Sequence, residues 1–187
     1  MITKEELQQL LMSTETFRVE RTVSTNNMDK FCEAICAFSN DIPDSRQNGY
    51  LILGANDDGS LSGLKVDDAL LKKIAAIRSD GNILPLPVMN VDRFEFPGGD
   101  LLVAEVQPSF FPPVRYRGRT FIRIGPRKDI ASEAEERILT ERRTANMATF
   151  DITPCIQASI EDILVDKTRL SSQSHRCRNS GFRHKRY

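Results

Sequence analysis

The 187-residue chain has no tryptophan, and its two histidines, His175 and His184, fall within the last thirteen residues. Residues 1–170 therefore carry no imidazole. That removes Ser-His-Asp and Cys-His catalysis and histidine-ligated metals from this stretch. Carboxylates, lysines and hydroxyls remain for any chemistry there. Cysteine is scarce. Cys32, Cys36, Cys155 and Cys177 lack the spacing of a disulfide framework or a zinc site. Cys32 and Cys36 sit four apart in an apolar helical pattern, where buried thiols are common. Long apolar runs are missing too, and none approaches the ~18 residues of a membrane helix. The N-terminus, MITKEELQQLL, is charged and amphipathic, unlike a signal peptide. The expectation is a reduced, cytoplasmic protein without a membrane partner.

Net charge is also lacking: Lys+Arg and Asp+Glu both count 26. The zero is an average over unlike parts. Residues 171–187 hold Arg176, Arg178, Arg183, Lys185 and Arg186 and no acid, which leaves 21 bases against 26 acids in residues 1–170. Within that acidic body, Val106 to Lys128 contains no acid but holds Arg115, Arg117, Arg119, Arg123, Arg127 and Lys128. Such a cluster is a local positive field.

Periodicity places the elements. A helix spans Thr3–Leu11, with Thr3 and Glu6 at capping-box spacing. A strand covers Thr14–Val23, with Phe17, Val19 and Arg21 on one face and Arg18 and Glu20 on the other. Asn26 or Asn27 caps a second helix carrying Met28, Phe31, Cys32, Ile35 and Phe38. After a polar loop, Asp41–Asn48, the run Tyr50–Gly54 reads as a buried strand. The turn Asn56-Asp57-Asp58-Gly59 leads into a short strand, Ser60–Leu64, which predicts a hairpin. Asp67–Arg78 is an amphipathic helix. Strands follow at Val88–Phe96, Leu101–Val106, Val114–Tyr116 and Thr120–Ile124, the last two flanking Gly118. A final helix starts at Ser132, whose spacing to Glu135 again fits a capping box. The pattern predicts an α+β fold: a mixed, largely hairpin-linked sheet with three to four helices packed on it.

Two groups of side chains could carry function. Arg115, Arg117 and Arg119 alternate, so an extended backbone would project them from one face. Arg123, Arg127 and Lys128 flank a tight turn that leads toward a helix start, a setting suited to phosphate. Tyr116 and Phe121 lie between them and could stack on unpaired bases. The plain alternative is that these arginines solvate an exposed hairpin and pair with acids. The second group is Glu15, Glu20 and Asp57, three carboxylates that could hold a divalent ion if the fold gathered them. The plain alternative is surface pairing for the glutamates and turn chemistry for Asp57-Asp58-Gly59. A Gly-rich phosphate loop is absent, since Gly54 and Gly59 are not followed by Lys-Ser/Thr.

These residues resemble a known family, the Schlafen AlbA_2 domain. Glu15 to Arg21 is similar to its opening motif, and Ala34-Ile35-Cys36-Ala37-Phe38-Ser39-Asn40 to the helix that follows. Gly49–Gly59 with Ser62-Gly63 resembles its central glycine-bounded strand and turn. Pro112-Pro113-Val114, Phe121–Gly125 and Ala131–Glu136 resemble its later strands and last helix. The ordered likeness runs from Glu15 to Arg143. It departs at Arg21, where the pattern has Lys, at Asn48, where it has Gly, and in extra residues in the loop Asp41–Asn48.

The family is known chiefly as a DNA-binding domain of bacterial transcriptional regulators, often ahead of ATPase-like and winged-helix domains. The resemblance implies an AlbA_2-like domain over residues 1–148, with Phe150–Cys155 opening a connector. Residues 149–170 would form that connector or docking arm, and 171–187 a basic tail of unstructured composition. DNA, or RNA, is the expected partner, with no cofactor. Some vertebrate relatives cut transfer RNA with two glutamates and an aspartate, and the matching positions are Glu15, Glu20 and Asp57. A metal-dependent endoribonuclease using Mg²⁺ or Mn²⁺ is thus one alternative. Self-association through the Leu/Ile-rich Phe150–Leu170, giving a homodimer, is another.

Overall fold

A computed structural model describes residues 2–147. The expected connector, tail and self-association arm lie outside them. The order is α1 (Lys4–Met12), β1 (Val19–Thr22), α2 (Met28–Asn40), β2 (Gly49–Leu53), α3 (Asp68–Ala76) with a 3-10 turn (Ile77–Ser79), β3 (Ile83–Leu84), β4 (Met89–Phe96), β5 (Gly99–Val106), β6 (Arg115–Tyr116), β7 (Phe121–Ile124), β8 (Arg127–Ile130) and α4 (Glu133–Asn146). Both capping boxes form: Thr3 with Glu6 opens α1, and Ser132 with Glu135 opens α4.

The main sheet runs β1-β2-β5-β4 and is mixed. β1 and β2 are parallel, joined through α2, while β5 is antiparallel to both β2 and β4. The strand alternation splits the core in two. Leu51 and Leu53 of β2 join Leu102, Ala104 and Val106 of β5 beneath Phe31, Ile35 and Phe38 of α2. Tyr50 and Ile52 join Val19, Leu101 and Val103 on the other face, beneath Leu7 and Leu11 of α1. With both faces covered, β2 and β5 are buried along their whole length, so continuous apolar runs suit them.

Two glycines are required by close approach. A Cβ on Gly49 would meet the Phe38 ring at 2.3 Å. Gly59 has φ +83, and a Cβ there would lie 1.9 Å from the Leu11 carbonyl oxygen. α1 therefore ends against the Asn56–Gly59 turn.

Several expectations need correction. The first strand is confined to Val19–Thr22. The hairpin after β2 shrinks to one bridge, Ala55 to Leu61, because the backbone turns left-handed at Gly54 and Gly63. β6 pairs with β3 rather than β7, and β7 pairs with β8, a strand that periodicity does not reveal.

Candidate nucleic-acid interface

The three carboxylates have separate tasks. Glu15 precedes β1, and its Oε1 accepts from the Arg21 amide at 2.8 Å. The buried Arg21 guanidinium donates to the carbonyls of Leu11 (3.0 Å) and Ser13 (2.6 Å), fastening the cationic side chain to the negative end of α1. Glu20 points to the opposite face and is held by the Arg123 guanidinium. Arg123 also donates to Thr16, Val19 and Pro126 carbonyls at 3.3, 3.1 and 2.7 Å, and lies 5.3 Å over the Phe38 ring. Asp57 sits in the turn after β2. Glu20 and Asp57 line one cleft of about 340 Å³ with Thr22, Ser24, Asn27 and Lys30. Glu15 is not on its wall. Among the described residues, no group of three or more metal-ligating side chains is placed to hold an ion.

The arginines do not form an extended stripe. Tyr116 and Arg119 close a tight turn through reciprocal backbone bonds of 2.8 and 3.0 Å, with Arg117 left-handed at φ 46 between them. Arg117 lies 3.2 Å from Asp29 and over the Tyr116 ring at 5.0 Å. Arg115 bonds Glu136 at 3.1 Å. The Lys128 Nζ is 2.6 Å from Glu33, and the well-exposed Arg127 is 3.4 Å from Asp129. Arg119 is exposed and has no ion pair among the described residues. Arg123 is only 2% exposed, so it is a clamp inside the fold rather than a surface cation. Tyr116 and Phe121 are core residues at 5% and 8% exposure and offer no face for stacking bases. The Tyr116 hydroxyl donates to Asp29 at 2.6 Å, and burial followed by that carboxylate raises the phenol pKa.

The Schlafen AlbA_2 family model matches residues 15–132. The chain belongs to the Schlafen AlbA_2 family. The match begins where the expected ordered likeness begins and ends at Ser132, short of the expected Arg143. Among solved structures, this AlbA_2 chain is similar to the N-terminal domain of a RecG-related protein from Nitrosomonas europaea, at 23% identity over 58% of this chain and 74% of that one, TM-score 0.45. It is also similar to the DIP2311 protein from Corynebacterium diphtheriae, at 19% identity over 80% of this chain, TM-score 0.50. It spans 26% of that chain's length, and the likeness is one of fold. No curated protein matches. Among the described residues, no helix is long and apolar enough to cross a membrane.

In the AlbA_2 fold seen here, two further cations join the expected set. Lys73 of α3 reaches the Thr25 carbonyl (3.3 Å) and Asn26 Oδ1 (3.0 Å) just ahead of α2. Lys30 is exposed on the first turns of α2 and lines the cleft. Lys73, Arg117 and Lys128, from three other stretches of chain, thus gather around the N-terminal half of α2, which itself carries Lys30. Lys30 and Lys73 lie outside the acid-free stretch, so only the packing of α3, the Arg117 turn and β8 around the start of α2 assembles the group.

Proposed function

We propose that this AlbA_2 domain binds nucleic acid, DNA in the setting of a bacterial transcriptional regulator, through the cations gathered around the N-terminal half of α2. The observation that carries the reading is the convergence of Lys30, Lys73, Arg117 and Lys128 on residues 25–33. A helix start adds its own positive end and outward N–H groups. Asp29 and Glu33 now partner Arg117 and Lys128; the Arg117–Asp29 pair is exposed and such pairs contribute only about 0–1 kcal/mol, while the Lys128–Glu33 pair is half-buried. A phosphate can replace Asp29 on Arg117 at little cost. Arg119 and the exposed Arg127 extend the basic surface, Arg115 stays on Glu136, and Arg123 supports Glu20 from within. These cations address the backbone rather than base edges, so this domain alone binds with weak sequence preference.

Fluorescence anisotropy on a duplex, from 50 to 300 mM salt, tests the reading. The full chain is compared with K30A/K73A/K128A and with a variant whose five tail bases (Arg176, Arg178, Arg183, Lys185, Arg186) are changed to Gln. Every phosphate that no longer meets a cation should lower the slope of log K against log salt by about 0.9. The triple variant should bind weakly with a flatter slope, and the tail variant should keep a substantial slope. Binding that disappears only in the tail variant would overturn the proposal.

A further inference from the structure

A second cavity, of about 560 Å³, lies at the other end of α2. Its walls include Asp44 and Arg46 of the α2–β2 loop, Gln107 and Phe110 after β5, and Arg142 and Asn146 of α4. The loop belongs to the stretch in which this chain departs from the AlbA_2 pattern. None of the residues assigned above to nucleic-acid binding lines it.

The loop holds an unusual backbone. Asp41, Asp44 and Arg46 all have left-handed φ, at 38, 57 and 56. Aspartate tolerates that region through local hydrogen bonding, but arginine gains no such relief. The conformation is held by bonds within the loop and by α4. The Asp41 carboxylate accepts from Ser45 Oγ (2.8 Å) and the Arg46 amide (2.7 Å), and Arg142 donates to the carbonyls of Asp41 (2.8 Å) and Ile42 (2.6 Å). All this fixes Arg46 at the cavity while its side chain stays 86% exposed. Its charged neighbour is Asp44 at 3.9 Å, and Asp44 also faces Arg142 at 4.0 Å. Both separations exceed a hydrogen bond. One carboxylate thus stands loosely between two guanidinium groups, and the other wall carboxylate, Asp41, is taken up by Ser45 and the Arg46 amide, which leaves the Arg46 side-chain donors without a hydrogen bond among the described residues.

The wall also carries an aromatic ring and several amides, beside Asp41 and Ser109. Phe110 is 60% exposed, braced edge-on by Phe111 at 5.2 Å and held in place through its carbonyl by Asn146 Nδ2 at 2.9 Å. Gln107 is exposed and can donate and accept. A guanidinium fork, an open aromatic face and an amide suit a ligand that joins an anion to a planar ring with polar edges. We propose that this cavity binds a nucleoside 5′-phosphate, with the phosphate on Arg46 and the base against Phe110. The site does not depend on the nucleic-acid surface at the start of α2.

Isothermal titration of the full chain with AMP, GMP, CMP and UMP tests this. Inorganic phosphate and unphosphorylated nucleosides serve as separate probes. At least one monophosphate should bind more tightly than either part alone. Arg46→Ala should weaken it about tenfold or more, the value of a charge-assisted hydrogen bond. Phe110→Ala should reduce binding toward that of phosphate. Both side chains are exposed, and thermal melts confirm that the variants stay folded. A 5′-phosphorylated tetranucleotide identifies the source. Tighter, Arg46-dependent binding than the mononucleotide assigns a strand end, and weaker binding assigns the free nucleotide. No monophosphate binding at millimolar concentration, binding unaffected by Arg46→Ala, or phosphate alone binding equally well would each overturn the proposal.

Discussion

Arg123 shows how one side chain can change role between sequence and structure. In the sequence it is one base in an acid-free stretch. In the fold its guanidinium is buried on three carbonyls and Glu20. Removing one partner of a buried ion pair leaves an uncompensated charge, which costs about 3–5 kcal/mol. Arg123→Met should therefore lower stability by that order, read as a shift in urea midpoint with unchanged slope. Loss of nucleic-acid binding in that variant without loss of stability would contradict the clamp role. The two cysteines of α2 behave as core residues. Burial pushes the Cys32 thiol up to about 11 and the Cys36 thiol up to about 12. Their folded pKa values exceed the ordinary 9.0, so their contribution to stability is present below pH 9 and is lost as pH rises from there through 11–12. At pH 8 a thiol reagent should leave both unmodified in the native protein and label them in denaturant. Rapid native labelling of Cys36, read by peptide mass, would contradict this.

At the scale of elements, α4 is held largely by polar contacts. Leu139 is its one buried residue, and polar interactions do the rest: Glu136 to Thr120 and Arg115, Arg142 to the loop carbonyls, Asn146 to Phe110. Leu139→Ala should cost about 2–4 kcal/mol and release α4 before the main sheet unfolds, seen by amide exchange. The Glu136 pKa is lowered by the Thr120 hydroxyl first and by Arg115 second. A lowered carboxylate stabilises the fold above its ordinary pKa of 4.5, and that stability is lost as pH falls through the folded value. Glu136→Gln should therefore show a smaller loss of stability between pH 6 and pH 3 than the parent. An equal acid loss in both would place the effect elsewhere. The two capping boxes were legible because a cap needs only residues three apart. The pairing of β6 with β3 was not, because it joins strands some thirty residues apart through short segments with little alternation of their own.

For the whole molecule, zero net charge conceals a division of labour. The acids of α2, Asp29 and Glu33, hold Arg117 and Lys128 in place around the helix start. Added salt should weaken the exposed Arg117–Asp29 pair and any phosphate binding together, while leaving the Arg123–Glu20 clamp, whose guanidinium is buried. The sequence alone determined the α+β class, the burial of β2, the helix caps and the AlbA_2 family, because each rests on local spacing or on motifs in order. Tertiary structure decided the sites. Burial moved Arg123, Tyr116 and Phe121 from the surface into the core. The left-handed turn at Arg117 broke the expected arginine stripe. Helix packing brought Lys73 to Asn26, and the pinning of the Asp41–Asn48 loop by Arg142 set Arg46 on the same cavity wall as Phe110. Residues far apart in the chain meet only when the core forms, and no period in the sequence records which polar groups that packing will bring together.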